Sequence, residues 1–68
     1  MGSDTMKNKL EQILEEQGRS QIWLANTAKV NRNTISNICR EKQTPRIDVA
    51  ERIAKTLGLT IYDIWDFN

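Results

Sequence analysis

The chain has 68 residues, a formal net charge of +1 and 28% charged residues. A chain of this length forms one domain at most and buries only roughly 60% of the surface that its unfolded form exposes, so its core has to be small. No apolar run approaches the roughly 18 residues of a membrane-spanning helix, and the N-terminus lacks the basic and then apolar pattern of a signal peptide, so we expect a cytoplasmic protein with no membrane partner.

The N-terminal part of the chain predicts one helix. Residues 1–5 form a small polar stretch ahead of a second methionine, Met6, and we expect them to be disordered or left over from expression, with one domain over residues 6–68. The first helix is predicted over about residues 7–17, where Leu10, Ile13 and Leu14 form an apolar stripe with helical spacing. Gly18 then ends it, because glycine tolerates a left-handed conformation.

Two further helices are predicted in the centre. Ser20 can cap the second helix, whose inward residues are Leu24, Ala25 and Ala28. The chain then turns through residues 29–31, and Asn31 is the predicted N-cap of a third helix over about residues 32–40. That helix has one inward stripe, of Ile35, Ile38 and Cys39. Its other face is polar and able to form hydrogen bonds, through Arg32, Asn33, Ser36 and Asn37.

The C-terminal third predicts two more helices. Residues 41–44 form a loop, and Pro45 enforces a break. A fourth helix is predicted over about residues 47–57, ending at Gly58, and its expected buried residues are Ile47, Ala50, Ile53, Ala54 and Leu57. Thr60 and Asp63 have the spacing of a capping box, which predicts a short fifth helix. The sequence therefore indicates an all-α domain with short connections.

The basic residues are concentrated in the centre of the chain. Residues 19–46 contain six Lys and Arg against the single acidic Glu41, a net charge of +5, whereas residues 1–18 and 47–68 each carry −2. A charge run alone is more often an ordinary solvated surface than a binding site. The same part of the chain contains two predicted helices separated by three or four residues, a spacing that suits a helix-turn-helix, whose second helix enters the major groove of DNA.

The residues of these helices carry a resemblance to a known family. The sequence SQIWLANTAKVNRNTIS, followed by Pro45 and IDVAERIAKTLGLTIYDIW, closely resembles the Cro/repressor helix-turn-helix family, also called XRE-type. The resemblance covers about residues 7–65. Its matching residues are Gln21, Leu24, Ala25, Val30, Thr34, Ile35, Ser36, Pro45, Ile53, Ala54, Leu57, Gly58 and residues 61–65. It implies a compact five-helix, lambda-repressor-like domain that binds double-stranded DNA and uses no cofactor.

The resemblance also implies the DNA-contacting residues. It assigns base reading to Arg32, Asn33 and Asn37, with Ser36 as a fourth candidate on the groove floor or on a phosphate. The chemistry agrees, since Arg bonds bidentately to guanine and Asn to adenine. Gln21 matches the family position that binds a phosphate at the N-terminus of the second helix. Further phosphate contacts are expected from Arg40, Lys42, Thr44 and Arg46. The alternative for each is an ordinary solvated residue.

Two departures from the family pattern bear on the structure. Family members often have glycine where Lys29 stands, so either the turn takes a different backbone or Lys29 bears a modest strain. Many members also have an acidic residue at the position of Cys39, paired with an arginine at the position of Leu14. Both positions are apolar here. We therefore expect Cys39 to lie in the core rather than to act as a redox sensor.

Several large apolar residues exceed what a small core needs. Trp23 stands at a family position that is usually polar, and we expect it to pack against a neighbouring helix; the alternative is an exposed patch with Ile22 for a partner. Ile61 and Ile64 are expected to close the core. The surplus side chains of the C-terminus, some of them exposed in a monomer, are expected to form the interface of a homodimer, and they are Tyr62, Trp65 and Phe67.

Three classes of function can be weighed on these residues. The leading hypothesis is a sequence-specific transcriptional regulator, most simply a repressor, that reads the major groove of an inverted-repeat operator as a dimer. The alternative is an antitoxin-like or antagonist module that holds a regulatory protein through an apolar patch. An enzyme is the weakest of the three, because with no histidine and one cysteine the chain lacks the commonest general base and cannot assemble a Cys/His metal site or an internal disulfide.

Overall fold

The computed structural model describes residues 8–65 and contains five α-helices over that range. They are α1 (Leu10–Gln17), α2 (Gln21–Ala28), α3 (Arg32–Cys39), α4 (Ile47–Thr56) and α5 (Ile61–Ile64). The all-α, five-helix prediction is therefore confirmed. None of these five helices is long and apolar enough to cross a membrane. The expectations for residues 1–5 and for Phe67 concern positions outside the described residues.

Side-chain caps set where the helices begin. The Ser20 hydroxyl accepts a hydrogen bond from the Trp23 N–H at 3.0 Å, and the Asn31 side-chain oxygen accepts one from the Asn33 N–H at 2.7 Å. Both predicted caps are confirmed. The first helix begins at Leu10, later than predicted, because Asn8 is held in an antiparallel bridge with Trp65, outside the helix.

The capping box of α5 is also present. The Asp63 carboxylate accepts from the Thr60 N–H at 2.9 Å and from the Thr60 hydroxyl at 3.0 Å. These hydrogen bonds, first of all the one from the backbone, favour the charged carboxylate and lower the pKa of Asp63 from its ordinary value of 3.8. Local chemistry of this kind orders a helix of only four residues.

Four helices end in the same way, with one residue in the left-handed conformation followed by an amide that bonds back to the last turn. The left-handed residues are Gly18, Lys29, Glu41 and Gly58, with φ between 60° and 74°. The N–H of the residue after each of these donates to a backbone carbonyl of the last turn at 2.8 to 3.0 Å. The pairs are Arg19 with Leu14, Val30 with Ala25, Lys42 with Asn37 and Leu59 with Ala54. The two glycine ends were predicted from the sequence, a strained Lys29 was one of two alternatives raised for its turn, and the end at Glu41 was not predicted.

The core is built by all five helices. α2 packs against α3 and α4, α1 packs against α3, and α5 packs against α4. The buried residues are Leu10, Leu14, Leu24, Ala25, Ala28, Ile35, Ile38, Ala50, Ile53, Ala54, Leu57, Ile64 and Trp65. Nearly every inward stripe predicted from helical spacing is therefore confirmed, and Ile61, expected to close the core, packs against it while remaining partly exposed.

Two predictions of burial are wrong. Ile47 was expected in the core, but 60% of its surface is exposed. It is the first residue of α4, and the chain just before it is mostly exposed, so Ile47 lies where the helix emerges at the surface. Trp65 was expected among the surplus side chains of a dimer interface, some of them exposed, but only 2% of its surface is exposed. The extended backbone after α5 pairs with Asn8 and brings the indole into the core.

Trp23 and Cys39 lie at the edge of the core. Trp23 is half-buried and packs against the core residues, so the packing expectation is confirmed. The Arg19 guanidinium lies over its ring, 4.1 Å from the ring centroid. Cys39 is half-buried and also packs against the core. Burial, assisted by the negative charge of Glu11, raises the pKa of the Cys39 thiol from 9.0 to about 11.

Candidate nucleic-acid interface

The turn between α2 and α3 sets the orientation of the polar face. Lys29 adopts the left-handed conformation, with φ 61° and ψ 45°. Of the two alternatives raised for a lysine at this family glycine position, the one observed is therefore a strained backbone at Lys29. The Arg52 guanidinium of α4 donates to the Lys29 carbonyl at 3.3 Å. The turn is therefore tied to the helix that lies behind it.

The polar face of α3 lies opposite its buried stripe. Ile35 and Ile38 are fully buried, while Arg32 and Asn33 are exposed and Ser36 and Asn37 are half-buried. The Asn37 side-chain amide donates to the Gln43 side-chain oxygen at 3.4 Å. Packing of the apolar stripe thus leaves four hydrogen-bonding side chains on the opposite face of a helix of eight residues.

A cleft joins this face to the first turn of α2. It has a volume of about 450 Å³, and its lining residues are Ser20, Gln21, Ile22, Arg32, Asn33 and Ser36. The structure therefore brings together the predicted phosphate contact, Gln21, and three of the four predicted base-reading residues. Asn37 lies one turn further along α3 than Asn33 and is not among the lining residues.

The remaining predicted phosphate contacts lie at and beyond the other end of α3. Arg40 is its C-cap, Lys42 follows the left-handed Glu41, and Thr44 and Arg46 belong to the exposed chain that leads to α4. Arg46 lies 3.9 Å from the Asp48 carboxylate in a largely exposed ion pair, which contributes little to stability. The predicted site thus separates into a cleft at the start of α3 and a basic segment at its end.

One further residue, Asn8, holds this geometry and was not indicated by the sequence patterns. The Asn8 side-chain amide donates to the Ile38 carbonyl at 2.8 Å, and its backbone N–H donates to the Glu41 carboxylate at 3.3 Å. Asn8 also accepts from the Leu10 N–H at 3.0 Å. Asn8 therefore anchors the last turn of α3 to the start of α1. Its role is not visible in the sequence, because its partners Ile38 and Glu41 lie 30 and 33 residues away in the chain.

The residues expected at a dimer interface are not placed together on the surface. Tyr62 is 75% exposed and lies beside a shallow groove between α4 and α5, of about 340 Å³. Trp65 belongs to the core, so its assignment to an exposed interface has to be corrected. Phe67 is outside the described residues. The apolar surface that Tyr62 offers lies apart from the cleft, which is lined by a different set of residues.

Comparison with known proteins identifies the family. A helix-turn-helix family model matches residues 10–64, which includes all five helices. The chain belongs to the XRE-type helix-turn-helix family. This XRE-type domain is similar in structure to a protein from Bacteroides fragilis that carries a provisional DNA-binding assignment, with a TM-score of 0.80 and 30% identity over 90% of this chain and 98% of the other.

A second similar structure is that of SinR, a master regulator of biofilm formation, in complex with DNA. It is 31% identical, with a TM-score of 0.74, over 79% of this XRE-type domain and 87% of the SinR chain. The hypothetical transcription factor NHTF from Neisseria, 24% identical, shares the fold with a TM-score of 0.74 over 81% of this chain and 62% of its own. No curated protein matches in sequence. The family and the fold are those of DNA-binding regulators.

Within residues 8–65 of the XRE-type domain, no group of three or more Cys, Asp or Glu side chains is placed to hold a metal ion. The polar face of α3 offers hydrogen-bonding side chains, and basic residues follow it in the chain. Such side chains match the donor and acceptor pattern of base edges, while the basic charges match phosphates.

Proposed function

We propose that this XRE-type domain is a transcriptional regulator, most simply a repressor, that binds double-stranded operator DNA through α3. The observation that carries the proposal is the shared cleft. Gln21 at the N-terminus of α2 lines the same cleft as Arg32, Asn33 and Ser36. A phosphate contact and base contacts have to be adjacent in this way if one helix is to enter the major groove while the preceding helix rests on the backbone.

Each of the four side chains on the polar face of α3 has a proposed role that follows from its chemistry. Arg32 can donate two hydrogen bonds to guanine O6 and N7, and Asn33 and Asn37 can each bond bidentately to adenine N6 and N7. Ser36 can bond to either base type or to a phosphate. Because these side chains are exposed or half-buried, they can contact base edges without any unfolding of the helix.

Phosphate contacts on both sides of α3 would fix its register on the duplex. Gln21 binds on one side, assisted by the positive end of the α2 dipole. On the other side the contacts come from Arg40, Lys42, Thr44 and Arg46. The net charge of +5 over residues 19–46 supports this assignment, since phosphate neutralisation supplies much of the affinity for DNA.

The proposal includes a two-fold dimer on an inverted repeat, with Tyr62 at the contact between the two copies. A single α3 of eight residues is about 12 Å long and reaches only a few base pairs. Each mismatched base pair typically costs about 1–3 kcal/mol, so one copy discriminates poorly against a genome. Such a regulator acts in the compartment that holds the DNA, which we propose is the cytoplasm.

A second candidate is an antagonist module that holds another protein. The exposure of three large apolar side chains, Ile22, Ile47 and Tyr62, favours it. The two functions differ in their dependence on salt. Duplex binding that weakens steeply as salt rises supports the regulator, whereas capture of a protein with no salt-dependent affinity for any duplex supports the antagonist.

The proposed function is tested by selecting duplexes from random DNA and measuring the affinity of alanine variants for the selected site and for unrelated DNA. Arg32→Ala and Asn37→Ala should each weaken specific binding by about 1–3 kcal/mol and relax the preference at one base position. Lys42→Ala should weaken binding to all sequences alike and flatten the salt dependence by about one unit of slope.

The matched control is Lys55→Ala, which removes an exposed lysine of α4 that borders the groove beside Tyr62 rather than the cleft. Its affinity and salt dependence should equal those of the unaltered protein. If Arg32→Ala and Lys42→Ala behaved alike, the division into base-reading and phosphate-binding residues would be wrong. If the unaltered protein bound no duplex, the proposed function itself would be wrong.

A further inference from the structure

Ile22 is a large aliphatic residue in an otherwise polar cleft. It exposes 51% of its surface and lines the cleft together with Gln21, Arg32 and Asn33. Its neighbours in α2 that face inward, Leu24 and Ala25, are buried, whereas Ile22 is exposed and does not belong to the buried core. Folding of the monomer therefore does not account for an isoleucine at this position.

The location of Ile22 restricts what it can contact when DNA is bound. It is the second residue of α2, directly after the proposed phosphate contact Gln21, and it faces the same cleft as the first turn of α3. If Gln21 binds a phosphate and Arg32 and Asn33 read base edges, as proposed above, a group at this place lies between that phosphate and those bases. In the major groove the apolar feature that base pairs present at that depth is the C5-methyl group of thymine.

We propose that Ile22 determines specificity by packing against the C5-methyl group of a thymine at the border of each half-site. The inference rests on the proposed function and adds a base preference that hydrogen bonding does not supply. Gln21 holds the backbone, and the exposed isoleucine then covers the methyl group beside it. Burying one methyl group away from water changes the affinity about fourfold.

The inference is tested by replacing each thymine of the selected duplex in turn with deoxyuridine, which deletes only the methyl group. Affinity is measured for the unaltered protein and for Ile22→Ala, and circular dichroism verifies that the variant is folded. For the unaltered protein, one replacement per half-site should weaken binding about fourfold. For Ile22→Ala, the same replacement should have no effect, because the partner of the methyl group is already gone.

The matched control is Ile47→Ala, which truncates another isoleucine, 60% exposed, that does not line the cleft. It should retain the full fourfold response to deoxyuridine. A response that persists in Ile22→Ala, or no response at any thymine in the unaltered protein, would overturn the inference while leaving the proposed function standing. Failure of the unaltered protein to bind any duplex would overturn both.

Discussion

Lys29 shows most directly how a single residue can depart from a family pattern without changing the fold. Its backbone is left-handed, a conformation that costs a residue with a side chain roughly 1–2 kcal/mol. The turn keeps this conformation because the Val30 N–H closes on the Ala25 carbonyl at 3.0 Å and Arg52 binds the Lys29 carbonyl. Both contacts use backbone atoms of the turn, so they do not depend on the lysine side chain.

Lys29→Gly is therefore expected to stabilise the protein. Relief of the left-handed strain is partly offset by the greater freedom of glycine in the unfolded chain, which leaves a gain of about 0.5–1 kcal/mol in the free energy of unfolding, measured in urea. Lys55→Gly, in the last turn of α4, is the control and should lose stability, by up to about 1 kcal/mol. A loss of stability in Lys29→Gly would mean that the lysine side chain itself stabilises the turn.

Cys39 is expected to react slowly in the folded protein. The thiolate is the nucleophile, and a pKa of about 11 leaves the folded thiol almost entirely neutral near neutral pH. Alkylation by iodoacetamide should therefore be much slower in the folded protein than in urea. It should keep accelerating as the pH rises past 9.0, the ordinary thiol value. Rapid labelling at neutral pH with loss of DNA binding would support a redox sensor instead.

The same pKa predicts a loss of stability in alkali. Because the folded thiol has the higher pKa, its contribution to stability is fully present below pH 9.0 and is lost as the pH rises through about 11. Cys39→Ala should remove this alkaline loss and cost about 1 kcal/mol at neutral pH, since a half-buried group next to the core is deleted. Its sequence preference for DNA should not change, because Cys39 does not line the cleft.

At the scale of elements, the sequence was sufficient where a helix boundary depends on neighbours in the chain. Ser20, Asn31 and Thr60 each cap a helix through atoms within three residues, and all three were predicted. The start of α1 was not, because Asn8 pairs across the fold with Trp65. The left-handed end at Glu41 was also missed, because its sequence lacks the glycine by which such ends are predicted.

For the candidate site, too, the sequence was sufficient for features within one helix but not for features that depend on packing between helices. Helical spacing was enough to show that Arg32, Asn33, Ser36 and Asn37 share the face opposite the buried stripe. The cleft was not predictable, because it depends on how α2 and α3 are packed rather than on either helix alone. Burial at the ends of elements was equally beyond the sequence, as Ile47 and Trp65 show, since helical periodicity does not indicate where the core stops.

At the scale of the whole molecule, the two ends of the described chain meet. The Lys9 N–H donates to the Ile64 carbonyl at 2.9 Å, next to the bridge between Asn8 and Trp65. The same Asn8 binds the last turn of α3 through the Ile38 carbonyl. The C-terminal segment is thereby connected to the helix that we propose reads DNA, so any contact between copies near α5 lies on an element with a fixed relation to α3.

The proposed dimer is tested through Tyr62, the exposed aromatic residue of α5. Two copies with their α3 helices about 34 Å apart would read one face of the duplex, and the small apolar area available predicts association mainly on the operator. Tyr62→Ser should lower the affinity for a full operator toward that for a half-site, with half-site affinity unchanged, in titrations followed by fluorescence anisotropy. Ile47→Ser, which removes exposed apolar surface elsewhere, should leave both affinities unchanged.

Undiminished cooperative binding by Tyr62→Ser would place the contact between copies on another surface. Trp65 is unsuited to this experiment, because its side chain is part of the core and its replacement would destabilise each monomer.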